Sequence, residues 1–257
     1  MDKKYCYIIG NGESRNIFGD LNKLTGKGAV YGCNAIYRDY PLLCDKIFAA
    51  NQPMYDEVVE AKKNKNIPAE IIGPEILNNY GYKVEGDPPY AMPKGLKIYR
   101  VWKGGDTKKN KTRTIDLSLA RGSGMSAVYH AAQQGYKNVF IIAFDILGAR
   151  QWETIGGTAS RIQNNIYKDT NNYPTRMNMK AYLKYEWLYQ LTQITRKFPD
   201  TNFLFINRKE YIKLNWLLPY YIQYSKNNLR AYSYAELHKH LEHNPGVDNL
   251  KFILPRS

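Results

Sequence analysis

Long apolar runs are missing from this chain. None approaches the roughly 18–20 consecutive apolar residues needed to cross a bilayer, and the mean hydropathy is −0.56. The N-terminus, Met1-Asp-Lys-Lys, leads straight into an apolar strand without a signal-peptide apolar region. The expectation is a globular, cytoplasmic protein. Cysteine is scarce: Cys6, Cys33 and Cys44 are odd in number and lack Cys-x-x-Cys spacing, which argues against a disulfide framework and a tetrahedral zinc site. Buried thiols acting as small hydrophobes are the better reading. The four histidines, His130, His238, His240 and His243, form no ligand set, and three of them crowd the C-terminal stretch, on an expected helix surface. No metal site is expected.

Acidic residues are also short. Lys and Arg number 37 against 23 Asp and Glu, a net charge of +14, which favours anionic partners. Basic residues gather at Lys62-Lys63-Asn-Lys65 and at Lys103 to Arg113. Solvated lysine-rich loops explain the same pattern. No helix-turn-helix, RNA-recognition signature or zinc finger accompanies it, so a nucleic-acid partner has no motif behind it.

What is present starts with Tyr5-Cys-Tyr-Ile-Ile9, an apolar strand running into Gly10-Asn11-Gly12-Glu13-Ser14. Glycine lets backbone N–H groups come close to a phosphate, and in a mononucleotide-binding α/β domain the ligand sits at the carboxyl end of the first strand. The full dinucleotide fingerprint is absent, since there is no third glycine and no acidic partner at the expected distance. A plain structural turn is the competing reading.

Further along, Val30–Asn34, Cys44–Asn51 and Glu70–Ile72 read as strands, with a helix over Met54–Asn64 between the last two. Residues 73–120 are broken by Pro and Gly and hold two alternating segments, 96–102 and 112–119. Around Gly104-Gly-Asp these suggest a basic-tipped β-hairpin. Regular structure resumes with a helix over Gly124–Gln134, a stop at Gly135 and a buried strand Val139–Ala143 ahead of Asp145. A polar loop at 148–176 precedes a helix striped by Leu183, Trp187, Leu188, Leu191 and Ile194. Asn202–Ile206 is the last core strand, ending in Asn207. The alternation predicts an α/β fold: a Rossmann-like, mostly parallel sheet flanked by helices, with a small lid and the inserted hairpin. One domain over 1–215, with insert 73–120 and lid 148–176, is followed by a helical extension, 216–257. There Trp216–Tyr224 is read either as an interface or as a helix packed on the sheet.

Small polar or charged residues close several strands: Gly10 to Ser14, Asn34, Asn51, Asp145 and Asn207. In an open parallel sheet these ends share one edge, where ligands bind; turn-forming caps are the alternative. Arg121-Gly-Ser-Gly124 combines a bidentate donor with a helix N-terminus, an anion-friendly arrangement, or it is an N-cap by Ser123. Asp145 either orients the site or caps a turn.

The run Ile-Ile-Gly-Asn-Gly-Glu-Ser14, then Gly32-Cys-Asn-Ala-Ile-Tyr37, Arg121-Gly-Ser-Gly124 and Gly135-Tyr-Lys-Asn-Val-Phe-Ile-Ile-Ala-Phe-Asp145 resembles the bacterial sialyltransferases of the Campylobacter type, in consistent order over residues 1–207. Ala-Phe-Asp145 stands where that family has Gly-Ile-Asp. The resemblance implies a metal-free enzyme that needs no cofactor and takes a CMP-sugar as donor substrate and a glycan as acceptor. Gly10, Asn11, Gly12 and Ser14 would cradle the nucleotide, and Asn34 and Asn51 would hydrogen-bond CMP. Ser123 and Gly124 would line the phosphate side near Arg121. It also implies self-association, into a homo-oligomer or a larger assembly.

One departure bears on catalysis. After the lid the family carries Tyr-x-x-His, the histidine being general base, where this chain reads Tyr173-Pro-Thr-Arg176. Tyr173 can donate to a phosphate oxygen, and Arg176 suits developing phosphate charge. An arginine cannot accept a proton from an acceptor hydroxyl. The family's tyrosine after the aspartate is also missing, with Leu147 nearest its place. Either another base such as Asp145 or Glu153 serves, or the chain transfers to a more acidic acceptor or hydrolyses its donor, or catalysis is lost. The last leaves a glycosyltransferase-like interaction protein, for example a bacteriophage virion or assembly component.

Overall fold

The computed structural model describes residues 3–12, 14–50, 52–73, 122–144, 190–207 and 228–243. Their centre is a parallel sheet of seven strands: β1 (Tyr5–Ile9), β2 (Ala29–Cys33), β3 (Lys46–Phe48), β4 (Glu70–Ile72), β5 (Asn138–Ile142), β6 (Asn202–Asn207) and β7 (Leu229–Ser233), in the order β4-β3-β2-β1-β5-β6-β7. The architecture is α/β and Rossmann-like, as the alternation predicts.

The central strands read as unbroken apolar runs because both faces of a parallel sheet are covered. On β1, Tyr5, Tyr7 and Ile9 join one core and Cys6 and Ile8 the other. On β5, Phe140 and Ile142 oppose Val139 and Ile141 in the same way. The first core is closed by Phe18 of the single turn α1 (Arg15–Phe18), by Met54 and Val58 of α2 (Gln52–Lys65), and by Leu237 and Leu241 of α5 (Tyr234–His243). The second is closed by Met125, Val128 and Ala131 of α3 (Ser123–Gln133) and by Leu191 and Ile194 of α4 (190–197). The last two belong to the stripe read from the sequence; Leu183, Trp187 and Leu188 lie outside the described residues.

α3 stops where expected. Gly135 takes φ 83°, its N–H donates to Ala132 O, and the Tyr136 N–H donates to Ala131 O, the paired C-terminal motif that a left-handed glycine permits. Three expectations need correction. β3 is shorter than Cys44–Asn51, because the Asp45 N–H and carboxylate turn aside to pair with Val30 O and Val30 N–H. Leu229–Ser233, in the stretch expected to be helical, is edge strand β7, paired with β6 from Phe203↔Leu229 to Asn207↔Ser233. His240 does not sit on a helix surface: it is 1% exposed, its ring against Tyr5 and Phe140. The three cysteines are free and buried, and burial pushes the Cys33 thiol up to about 12. Apart from Gly73, the expected insert lies outside the described residues with its hairpin, as do the lid and Trp216–Tyr224.

Candidate functional site

Strand order reverses between β1 and β5, since β1 to β4 step one way and β5 to β7 the other. At such a point the connections leave to opposite faces and a crevice opens at the carboxyl ends of the two strands. Gly10 and Gly12 lie in that place, directly after β1.

The glycines do a different job from the one read in the sequence. The Gly10 N–H donates to Ile142 O (2.8 Å) and the Gly12 N–H to Ala143 O (3.0 Å), so both extend the pairing of β1 with β5 rather than facing outward. A Cβ on Gly10 would sit 2.5 Å from Ala143 O and 3.0 Å from Phe144 Cδ2. A Cβ on Gly124 would overlap the other side of the same ring, with Phe144 Cζ at 2.8 Å. Phe144 is thus wedged between the end of β1 and the first turn of α3, and both glycines are needed to admit it. Ala143, beside it, has φ 58°, a left-handed backbone that is strained for alanine.

Asn34, Ser123 and Ala50 form a chain along the same edge. Asn34 ends β2, takes φ 50° and opens a 3-10 turn; asparagine tolerates that conformation better than most residues. The Ser123 hydroxyl donates to Asn34 Oδ1 (2.6 Å) and its oxygen accepts the Ala50 N–H (2.9 Å). The carboxyl ends of β2 and β3 are thereby tied to the N-terminus of α3. The N-cap residue of α3 is Gly122, which caps nothing with a side chain; Ser123 is the first helical residue and is turned toward Asn34. A helix N-terminus at this place favours negative charge.

Ser14 is drawn into the protein: 2% exposed, it shares a 2.9 Å hydrogen bond with Tyr234 OH of α5. Beside it, Arg15 is 6% exposed, and its guanidinium donates to Gly12 O (3.1 Å), Asn11 O (3.4 Å) and Asp39 Oδ2 (2.9 Å). This buried arginine, which fixes the carbonyls of the glycine turn, was not among the residues singled out from sequence. Its signal was present: a cation in the first turn of a helix opposes the dipole and calls for a specific partner. Phe144, Ala143, Ala50 and Tyr234 were missed as well, their roles being set by contacts distant in sequence.

Of the expected site residues, Gly10, Asn11, Gly12, Asn34, Ser123 and Gly124 therefore lie along the carboxyl edge around the switch point, with Ser14 just behind it. Asn51, Arg121, Asp145, Tyr173 and Arg176 lie outside the described residues. Among the described residues no cluster of three or more His, Cys, Asp or Glu could hold a metal ion, and no helix is long and apolar enough to cross a membrane. Comparison with protein-family models, with curated proteins and with solved structures finds no match to this chain.

Proposed function

We propose that the chain binds a nucleotide sugar of the CMP-sugar class in the crevice between β1 and β5, as a sialyltransferase-like protein. The observation that carries the proposal is the convergence of the Gly10–Gly12 turn, Asn34 and the N-terminus of α3 at the one point where the strand order reverses. Asn34, half-exposed with its amide carbonyl already accepting from Ser123, would turn its amide nitrogen to the nucleoside, and the first turn of α3 would face the phosphate. Asn51 and Arg121 would complete that edge, Asp145 would orient the site, and Tyr173 and Arg176 would support the departing phosphate. Transfer to a glycan acceptor is slow on this reading, since no histidine stands in the general-base position; loss of a general base costs about 10²–10⁴-fold in rate.

A second reading rests on a different observation. The N–H groups of Gly10 and Gly12 are spent on β5, and the Ser14 hydroxyl is spent on Tyr234, so three groups of the expected cradle are turned inward. That favours a glycosyltransferase-like fold kept as an interaction module, self-associated or built into a larger assembly such as a virion. Calorimetric titration with CMP separates the two. Binding in the micromolar to millimolar range is expected; no heat at millimolar CMP overturns the first reading, and binding without transfer from CMP-sialic acid to a galactosylated acceptor marks a site that holds its donor but does not turn it over.

A further inference from the structure

The opposite edge of the sheet has a character of its own. Lys46 is the first residue of β3, Lys27 precedes β2 by two positions, and Lys4 and Lys137 immediately precede β1 and β5. β3, β2, β1 and β5 are consecutive in the sheet. The register sets Lys4 level with Lys27 before β2 and with Lys137 before β5. Neighbouring strands stand about 4.8 Å apart, so these three form a row about 10 Å long along the amino edge, whereas Lys46 is level with Ile8, further along the strands. α2 ends on this edge too, with Lys62, Lys63 and Lys65 in its last turn.

Part of this charge is structural. Lys3 Nζ donates to Gln134 O at the end of α3, Lys62 Nζ donates to Ala69 O, and Lys46 pairs with Glu70. Lys4, Lys27, Lys63 and Lys137 are exposed and form no ion pair among the described residues. At the carboxyl edge, by contrast, Arg15 pairs with Asp39 and Arg38 with Glu57. Basic charge on this side of the sheet reaches inward: after burial, the next influence lowering the His130 pKa is Lys46, and for His240 it is Lys4.

We infer that the amino edge of the sheet, through Lys4, Lys27 and Lys137, binds the phosphate backbone of a nucleic acid. Three cations level with one another on adjacent strands complement a linear polyanion carrying phosphates every 3.4 Å or so along each strand. Firm seating on a membrane draws on apolar side chains that enter the interface as well as on charge. The exposed large hydrophobic residues among the described ones are Ile17 and Leu42, and neither belongs to the row. No base-reading element accompanies it among the described residues, and phosphate contacts alone carry no sequence information. The inference does not depend on the nucleotide-sugar reading, whose site is at the other edge.

The test uses the full chain and a fluorescently labelled 20-base-pair DNA duplex, followed by anisotropy between 50 and 200 mM NaCl. Affinity should fall with salt with a log–log slope of about −3. Lys4→Gln, Lys27→Gln and Lys137→Gln together should reduce that slope by about 3 and weaken binding at least about 10-fold at 50 mM salt. Should the triple variant fold poorly, Lys27→Gln and Lys137→Gln singly should each reduce the slope by about 1. Unchanged duplex binding in these variants overturns the inference. So does loss of binding on Lys108→Gln, Lys109→Gln and Lys111→Gln while the edge variants bind normally, or capture by phosphatidylserine vesicles at a salt concentration where the duplex is not held. CMP titration of the edge variants reports separately on the other site.

Discussion

The hydroxyl of Ser123 donates to Asn34 Oδ1 at 2.6 Å, joining the first turn of α3 to the end of β2 across 89 positions of sequence. The same oxygen receives the Ala50 N–H, so one side chain holds three elements of the site edge in register.

Ser123→Ala should therefore cost more than a surface hydroxyl. It leaves a backbone donor and an amide carbonyl without this partner, a loss of about 1–3 kcal/mol in urea unfolding. CMP affinity should fall with it, because Asn34 loses its orienting contact. An unchanged midpoint and an unchanged affinity would together remove Ser123 from the site.

The two glycines around Phe144 should respond differently to a second substitution. Gly10→Ala and Gly124→Ala each force an overlap and should destabilise by about 1–3 kcal/mol. For Gly124 the near atoms all belong to the Phe144 ring, whereas for Gly10 the nearest is the Ala143 carbonyl oxygen. Phe144→Leu should thus recover part of the loss in the Gly124 variant and little in the Gly10 variant, read as unequal coupling energies in two double-mutant cycles.

Ala143 offers a test of sign. Replacing a helical alanine such as Ala131 with glycine costs about 1 kcal/mol. At φ 58° the same exchange relieves left-handed strain worth about 1–2 kcal/mol, which offsets the flexibility that glycine adds to the unfolded chain. Ala143→Gly should leave stability unchanged or raise it by up to about 1 kcal/mol. A loss as large as that of Ala131→Gly would contradict the strained backbone.

Acid should loosen the fold before its carboxylates titrate. Burial, reinforced by Lys46, holds His130 down to about 4, and burial with Lys4 lowers His240. Both histidines ionise near 6.5 in the unfolded chain, so below that pH the unfolded state binds more protons and stability falls as pH drops. For His130 the loss is complete near pH 4 and amounts to about 3 kcal/mol. Urea midpoints should decline between pH 7 and 4.5, and His240→Phe should flatten part of that decline. A flat profile would place both imidazoles in contact with water.

The apolar runs Tyr5–Ile9 and Val139–Ala143 made the centre of the sheet legible, because strands covered on both faces cannot avoid such a pattern. β7 escaped notice for the converse reason. Leu-Arg-Ala-Tyr-Ser is an edge strand whose Arg230 keeps partial exposure, and five mixed residues do not resolve into a period. At the site, residue types were readable and their partners were not. The sequence pattern presents Gly10 and Gly12 as openings toward a phosphate, whereas Gly10 meets Ile142, Ala143 and Phe144 and Gly12 meets Ala143, more than a hundred positions away. Nothing in the sequence marks the partners of Arg15, the Gly12 carbonyl and Asp39, which lies 24 positions away.

The pairing of β1 with β5 also sets a timetable. Asn138 reaches Lys4 O across 134 positions, and at about 5–20 residues per second a ribosome needs on the order of ten seconds to supply that partner. During that interval β2 to β4 can assemble on one side of β1 while its other edge, the apolar Tyr5–Ile9, stays open to mispairing. The crevice at the switch point cannot close until β5 arrives, so whatever the site binds, it binds only once more than half of the chain has been made.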